Sequence, residues 1–243
     1  MKAFILAAGL GTRLKPITDN KPKALVSLSG KTFLEHTILN LKTQGINNFV
    51  INIHHFADQI TAFLKEKNKF DCNIQISDER ANLLNTGGAL LHAKNYFSEN
   101  ENILIYNVDI FSDINIYELT EFHKKNNALA TLAVHKSNSS RKLVFDADMQ
   151  LCRWKNIETQ EIKIARQSKN KLSDYSFTGI HIVNTEIFKY ITETGKFSII
   201  DLYLRLAKNH KILAYETNYN YWFDLGKKET LKQAETNYKN MQL

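Results

Sequence analysis

The segment Ala7-Ala8-Gly9-Leu10-Gly11-Thr12-Arg13-Leu14 follows Ala3 to Ala7, a short apolar run of the kind that forms a strand buried on both faces. Glycines at such a strand exit let the backbone approach a phosphate closely. Successive N–H groups then point into the concavity, and Arg13 adds a two-pronged donor for phosphate oxygens. The spacing is not the dinucleotide fingerprint, because Leu14 stands in the third glycine's place, and it is not a Walker loop, because no Gly-Lys-Ser/Thr closes it. Alone, the segment is as readily a flexible strand-exit loop as an anion site. Pro22 sets the chain direction just before Lys23, which offers a second cation to the same anion, or simply one more solvated lysine.

Two carboxylates stand in comparable settings. Asp109 follows Tyr106-Asn107-Val108 at the carboxyl end of an apolar run, where open α/β sheets bind ligands, and a carboxylate beside phosphates commonly holds Mg²⁺. Asp224 lies between Trp222-Phe223 and Leu225-Gly226, so a cation or hydrogen bonds must offset its burial. Each aspartate by itself is equally a helix cap or turn residue. If the two share one Mg²⁺, they repel each other without it, and asparagine at either position leaves metal-free stability unchanged or slightly raised. His54-His55 is read as structural, since adjacent residues of an extended segment face opposite ways and no Cys or His stands at ligand spacing. No Gly-x-Ser-x-Gly elbow supports serine hydrolysis.

The elements that must position these groups alternate through the first half. Strands are expected at Ala3 to Ala7, Phe49 to Ile53, Ile74 to Ser77 and Ile103 to Tyr106. Helices are expected after the Thr32 cap as far as Gly45, over Asp58 to Lys69, and over Gly88 to Phe97. Such alternation implies right-handed crossovers and a parallel sheet. A helix near Ile116 to Lys125 then leads to strands at Ala130 to His135, Leu143 to Phe145, Leu151 to Trp154, Ile162 to Ala165 and Phe177 to Val183. Trp222 to Gly226 reads as a turn before a final helix from Lys227 to about Asn240.

Composition excludes several classes. With 243 residues, 43% hydrophobic and 23% charged, the chain is neither disordered nor collagen-like, and its length fits one large α/β domain. Cys72 and Cys152 form neither a disulfide framework nor a zinc motif, which suits a reducing cytoplasm. The apolar start is broken by Gly9, Gly11 and Arg13 before it reaches signal-peptide length, and no run spans a bilayer, so no membrane role is expected. The net charge of +7 is dispersed, with no basic arm, and no nucleic-acid partner is expected.

Leu6-Ala7-Ala8-Gly9-x-Gly11-Thr12-Arg13-Leu14-x-Pro16-x-Thr18 with Pro22-Lys23-Ala24-Leu25 resembles the opening of the sugar 1-phosphate nucleotidyltransferases. The likeness continues through Asn85-Thr86-Gly87-Gly88-Ala89, Asn107-x-Asp109, Phe177-Thr178-Gly179-Ile180 and Trp222-Phe223-Asp224-Leu225-Gly226, and so covers nearly the whole chain. It implies a Rossmann-like nucleotidyltransferase fold, an α/β class with a mainly parallel mixed sheet flanked by helices and a small inserted β-region. Residues 1–110 would be a nucleotide-binding half, 111–226 a sugar-binding half and 227–243 a C-terminal helix of one domain. By the same resemblance Ala7, Ala8, Gly9, Gly11, Thr12 and Arg13 hold the nucleotide with Thr86 and Gly87. Arg13, Lys23 and Asp109 are catalytic, and Asp109 and Asp224 hold Mg²⁺. Asn107, Thr178 and Gly179 are on the sugar side. The Glu-Lys pair that many members use there is absent between Leu151 and Ser173, and Arg141 is the cation offered instead; Val108 replaces the usual glycine before the metal aspartate.

The activity implied is condensation of a nucleoside triphosphate with a sugar 1-phosphate, releasing pyrophosphate, by a monomer or small homo-oligomer. Short length and the Leu84-Asn85-Thr86-Gly87-Gly88 form most resemble compact N-acetylmuramate 1-phosphate uridylyltransferases of cell-wall recycling. GTP-dependent mannose 1-phosphate and heptose 1-phosphate guanylyltransferases are the alternatives. A catalytically silent, nucleotide-sugar-binding regulatory subunit is the competing class.

Overall fold

The computed structural model describes the chain from Met1 to Met241. In chain order the strands are β1 (Lys2–Leu6), β2 (Ser27–Leu28), β3 (Lys31–Thr32), β4 (Asn48–Ile53), β5 (Asn73–Asp78), β6 (Asn102–Asn107), β7 (Ile110–Ser112), β8 (Ala130–His135), β9 (Arg141–Phe145), β10 (Leu151–Asn156), β11 (Ile162–Ile164), β12 (Ser173–Asn184), β13 (Ile212–Glu216) and β14 (Trp222–Asp224). The α-helices are α1 (Phe33–Thr43), α2 (Ala57–Glu66), α3 (Asn85–His92), α4 (Ile116–Asn126), α5 (Ile199–Leu206) and α6 (Lys228–Met241). The expected α/β class with a mixed sheet and flanking helices is what forms. Two compact units divide it, and both are discontinuous in sequence. One comprises residues 1–83, 106–114 and 219 onward, the other 84–105 and 115–218.

In the first unit, β1 pairs in parallel with β4 from Ala3↔Phe49 to Leu6↔Asn52, and β4 with β5 from Asn48↔Asn73 to Ile53↔Asp78. Phe4, Ile5, Val50 and Ile51 are wholly buried, as successive apolar residues must be in a strand covered on both faces. β1 ends at Leu6, a residue earlier than expected, because the Ala7 N–H turns away to a side-chain oxygen. Helix α1 starts where Thr32 caps it, the hydroxyl accepting from the Glu35 N–H, and buries Phe33, Leu34, Ile38 and Leu41. Helix α2 stops short of the expected Lys69. From Asn68 to Asp71 four successive residues take φ of 46 to 55°, which no right-handed helix allows. The expected turn at Trp222 is instead strand β14, antiparallel to β7 with Asp224 opposite Ile110. Phe111 of β7 packs on His36 of α1 at 5.1 Å and on Tyr221 at 4.9 Å between ring centres, which anchors the pair.

The second unit carries the antiparallel order β11-β10-β9-β12, with β12 also pairing β8 and β8 pairing β13 in parallel. The expected β-region thus forms. Helix α5 and strand β13 lie where the sequence raised no expectation. Helix α3 begins at Asn85, ahead of the expected Gly88, and both glycines sit in its first turn. A Cβ on Gly87 would lie 2.4 Å from the Phe197 ring, and one on Gly88 2.3 Å from the Gly195 carbonyl, so only glycine admits that segment. Its first amides are satisfied there too, since Gly87 and Gly88 donate to the Phe197 carbonyl at 3.0 and 3.3 Å.

Candidate active site

The strand exit is pinned before it becomes a loop. Asn52, at the end of β4, accepts from the Ala7 and Ala8 N–H groups at 2.6 and 3.2 Å through Oδ1, and its Nδ2 donates to Glu79 Oε1 at 2.8 Å. All four residues are buried. The Ala7 and Ala8 amides therefore fix the loop's direction, and free donors begin beyond them. Gly11 takes φ +66°, and a Cβ there would lie 2.9 Å from Thr18 Cγ2. The Thr18 hydroxyl in turn donates to the Gly11 carbonyl at 2.8 Å, closing the loop on itself before Thr12 and Arg13 enter a 3₁₀ turn.

Lys23 returns to this loop beside Gly9. A Cβ on Gly9 would lie 3.3 Å from the Lys23 ammonium, which donates to Asp109 Oδ2 at 2.8 Å; the two side chains are only 15% and 7% exposed. Asp109 follows β6, and its carbonyl accepts from the Leu225 N–H at 2.8 Å, which draws the β14 end alongside. Asp224 Oδ1 accepts from the Gly226 N–H at 2.9 Å, while Oδ2 faces Arg13 Nη1 at 3.7 Å.

These contacts meet at one point. The position of a Cβ on Gly226 lies 2.6 Å from Arg13 Nη2, 2.7 Å from Asp109 Oδ2 and 2.8 Å from Asp224 Oδ1. Three charged groups from separate stretches of chain thus surround a space that exists because residue 226 has no side chain. The two carboxylates do not face each other unanswered, contrary to the repulsion expected from sequence. Lys23 stands against one and Arg13 against the other, so each acid already has a cation before any ligand arrives.

Two hard carboxylate oxygens directed at one small space fit a divalent cation of the Mg²⁺ kind, which takes one or two carboxylates and completes its shell with water and phosphate oxygens. Among the described residues no group of three or more His, Cys, Asp or Glu side chains gathers at any point, so a cation here would have two protein carboxylates at most. His54 Nδ1 is bonded to the Glu79 carbonyl at 2.8 Å, and the His55 ring lies against Phe56.

Of the remaining sequence-derived residues, Asn107 ends β6 in the first unit, half-buried. The others fall in the second. Thr86 Oγ1 accepts from the Ile199 N–H at 3.0 Å, and Gly87 lies against Phe197. The Thr178 hydroxyl donates to the Ala133 carbonyl at 2.9 Å, and Gly179 takes φ +86° where β12 slips register against β8 between Phe177 and His181. Arg141 opens β9 and is exposed. Gly226, Asn52 and Glu79 were not singled out by sequence. Gly226 lay in the Asp224-Leu225-Gly226 motif, but a glycine's role as empty space is visible only in three dimensions.

The nucleotidyl transferase family matches residues 2–241. The chain belongs to that family. Similar proteins include the N-acetylmuramate alpha-1-phosphate uridylyltransferase of Caulobacter vibrioides, 40% identical over 109 residues (44% of this chain, 45% of that protein). A bifunctional sugar-1-phosphate nucleotidylyltransferase/acetyltransferase of Sulfurisphaera tokodaii is 33% identical over 93% of this chain and 53% of that one. Mannose-1-phosphate guanylyltransferase catalytic subunit beta of Xenopus tropicalis is 27% identical over 93% of this chain and 61% of that one. This nucleotidyl transferase chain thus spans 45% to 61% of the length of these curated relatives. Among solved structures, HddC from Yersinia pseudotuberculosis complexed with GMP-PN aligns with a TM-score of 0.77 at 22% identity, covering 98% of this chain and 99% of that one. UDP-glucose pyrophosphorylase complexed with UDP-glucose aligns at 0.78 and 18%, covering 99% and 98%. At those identities the likeness is one of fold. No helix among the described residues is long and apolar enough to cross a membrane.

Proposed function

We propose that the chain condenses a nucleoside triphosphate, UTP above others, with a sugar 1-phosphate, N-acetylmuramate 1-phosphate above others, to give a nucleotide sugar and pyrophosphate. The observation that carries this reading is the convergence of Arg13, Asp109 and Asp224 on the space at Gly226, with Lys23 beside it. The uridylyltransferase at 40% identity supports the choice of donor and acceptor. The guanylyltransferase match over 93% of the chain supports GTP with mannose 1-phosphate as the second reading.

In the reaction an acceptor phosphate oxygen attacks the α-phosphorus in line; that P–O bond forms as the bond to the bridging oxygen breaks, and pyrophosphate leaves with the electron pair. The acceptor is already a nucleophile, so no strong base is needed. The task is to hold two polyanions together against their repulsion. The Gly9–Gly11 loop presents its backbone to the phosphates, Arg13 clamps the departing pyrophosphate, and Lys23 neutralises charge near the α-phosphate. Asp109 and Asp224 would hold Mg²⁺, which supplies neutralisation of the triphosphate and of the leaving group when bound. Thr86 and Gly87 are assigned to the nucleotide, and Asn107, Arg141, Thr178 and Gly179 to the sugar side.

Pyrophosphate release across a matrix of triphosphates and sugar 1-phosphates tests the proposal. UTP is expected to give the highest kcat/KM, and a hundredfold preference over GTP needs only about 2.7 kcal/mol, within reach of one or two hydrogen bonds. GTP ahead of UTP with every acceptor would select the second reading, and no pyrophosphate from any pair would favour a silent binding subunit. Arg13→Ala and Lys23→Ala are each expected to lose roughly 10²–10³-fold in rate with the fold retained. For Lys23→Ala the loss should fall mainly in kcat, since its contact strengthens as charge develops. Near-normal turnover in either folded variant removes that residue from the site.

A further inference from the structure

Asn52 is a buried polar residue in the otherwise apolar run from Phe49 to Ile53. It stands in the last register pair of β1 with β4, opposite Leu6. One residue beyond that pair its Oδ1 begins to accept, taking the Ala7 and Ala8 N–H groups at 2.6 and 3.2 Å. Both alanines are buried, where an amide without an acceptor is costly, and a single side-chain oxygen answers the two.

An asparagine amide can present either end. Two N–H donors demand the oxygen, which sends Nδ2 the other way, and the group met there must accept. Glu79, just past β5, supplies that acceptor with Oε1 at 2.8 Å from Nδ2. Its backbone is fixed as well, since its N–H donates to the Ile53 carbonyl at 2.8 Å and its carbonyl is bonded to His54 Nδ1 at 2.8 Å. The connection from Glu79 through Asn52 to Ala7 and Ala8 is buried throughout and lies within the first unit.

The next amides are left open to a ligand. Among the described residues, the five N–H groups from Gly9 to Arg13 have no hydrogen-bond acceptor, and pairing resumes where the Leu14 N–H donates to the Gly11 carbonyl at 2.9 Å. Gly9, Leu10, Thr12 and Arg13 are exposed. Successive free N–H groups at a strand exit are the donors that an anion needs. Asn52 sets the first end of this row, and the bonds that Leu14 and Thr18 make to the Gly11 carbonyl hold the rest.

We infer that Asn52 is a positioning residue for the triphosphate, holding this row of amides where they reach the phosphates, and that Glu79 acts through it by fixing which end of the amide faces the loop. The inference rests on the proposed nucleotidyl transfer and adds to it a pair of residues that work from behind the loop.

The test has two readouts. One is turnover of UTP with the sugar 1-phosphate that gives the highest kcat/KM. The other is the Kd of inorganic triphosphate, by calorimetry with chelator present, which needs neither metal nor catalysis. Asn52→Leu removes the oxygen at similar size. It should lower kcat about a hundredfold and raise the triphosphate Kd about tenfold, while the KM of the sugar 1-phosphate changes by less than about twofold. Asn52→Asp keeps an acceptor for the loop but sets a carboxylate against Glu79, and should lose nearly as much. Adding Glu79→Gln places a donor opposite that carboxylate, and the double variant should return to within about fivefold of the wild type. A residue that only supports the fold would lower the melting temperature in every variant and leave kcat and triphosphate Kd of the folded protein unchanged, which overturns the inference. A double variant no better than Asn52→Asp alone overturns it too, because the orientation of the amide would then not matter. If Asn52→Leu does not fold, Asn52→Asp with and without Glu79→Gln carries the same readouts. Absence of pyrophosphate with every donor and acceptor overturns the transfer reaction instead, and the triphosphate Kd values then decide the inference alone.

Discussion

Asparagine at position 109 or 224 is expected to cost about 10³-fold or more in single-turnover rate, the largest loss of any single change to this site. Asparagine keeps the size of the side chain and removes the charge that a hard cation needs. Because both oxygens face the same space at Gly226, the double variant should be little worse than the worse single one. Losses that multiply, or a variant fully active at ordinary Mg²⁺, would show that the carboxylates do not act through one ion. Stability should separate the two positions. Asp109→Asn leaves the Lys23 ammonium, 15% exposed, without its partner and should cost about 1.5–3 kcal/mol. Asp224 meets Arg13 at 3.7 Å with 30% and 55% exposure, so Asp224→Asn should cost less than about 1 kcal/mol. Thermal unfolding with chelator present measures both, and equal costs would contradict the unequal burial of the pairs.

Gly226→Ala should give a folded protein that has lost roughly 10²-fold or more in rate. The new methyl would lie within 2.8 Å of Arg13 Nη2, Asp109 Oδ2 and Asp224 Oδ1, all three the ends of side chains that can swing aside. The backbone is spared, and what moves is the geometry of the charged groups. A displacement near 1 Å suffices for a hundredfold loss when reactants must be held in line. The measurement is single-turnover rate beside the melting temperature. Unaltered rate would show that the space at residue 226 has no part in catalysis, and a collapsed fold would show that the three groups cannot yield.

Much of the site was legible because its residues lie in linear motifs. Arg13 and Lys23 flank a glycine-rich strand exit, and Asp109 closes an apolar run, so local pattern placed them at a strand end before any contact was known. Their pairing was not legible. Lys23 meets Asp109, and Arg13 meets Asp224, through tertiary packing that no periodicity encodes, and the expected repulsion between the acids failed for that reason. Asn52 sits in an apolar strand, where a polar residue gives no sign of which amides it serves. Strands β7 and β14 are three residues each, too short for alternation to register, so Trp222 to Asp224 read as a turn.

The first unit is assembled from three stretches of chain, and the last of them brings Asp224 and Gly226. During synthesis, Arg13, Lys23 and Asp109 all leave the ribosome well before that stretch, at a pace of roughly 5–20 residues per second. For an interval on the order of ten seconds the nascent protein holds the cations proposed to bind the triphosphate but lacks the second carboxylate. On the proposed roles, such a chain would gather triphosphate without spending it. On the proposed transfer reaction, a fragment cut before β14 lacks both Asp224 and Gly226 and is expected to be inactive rather than merely slowed.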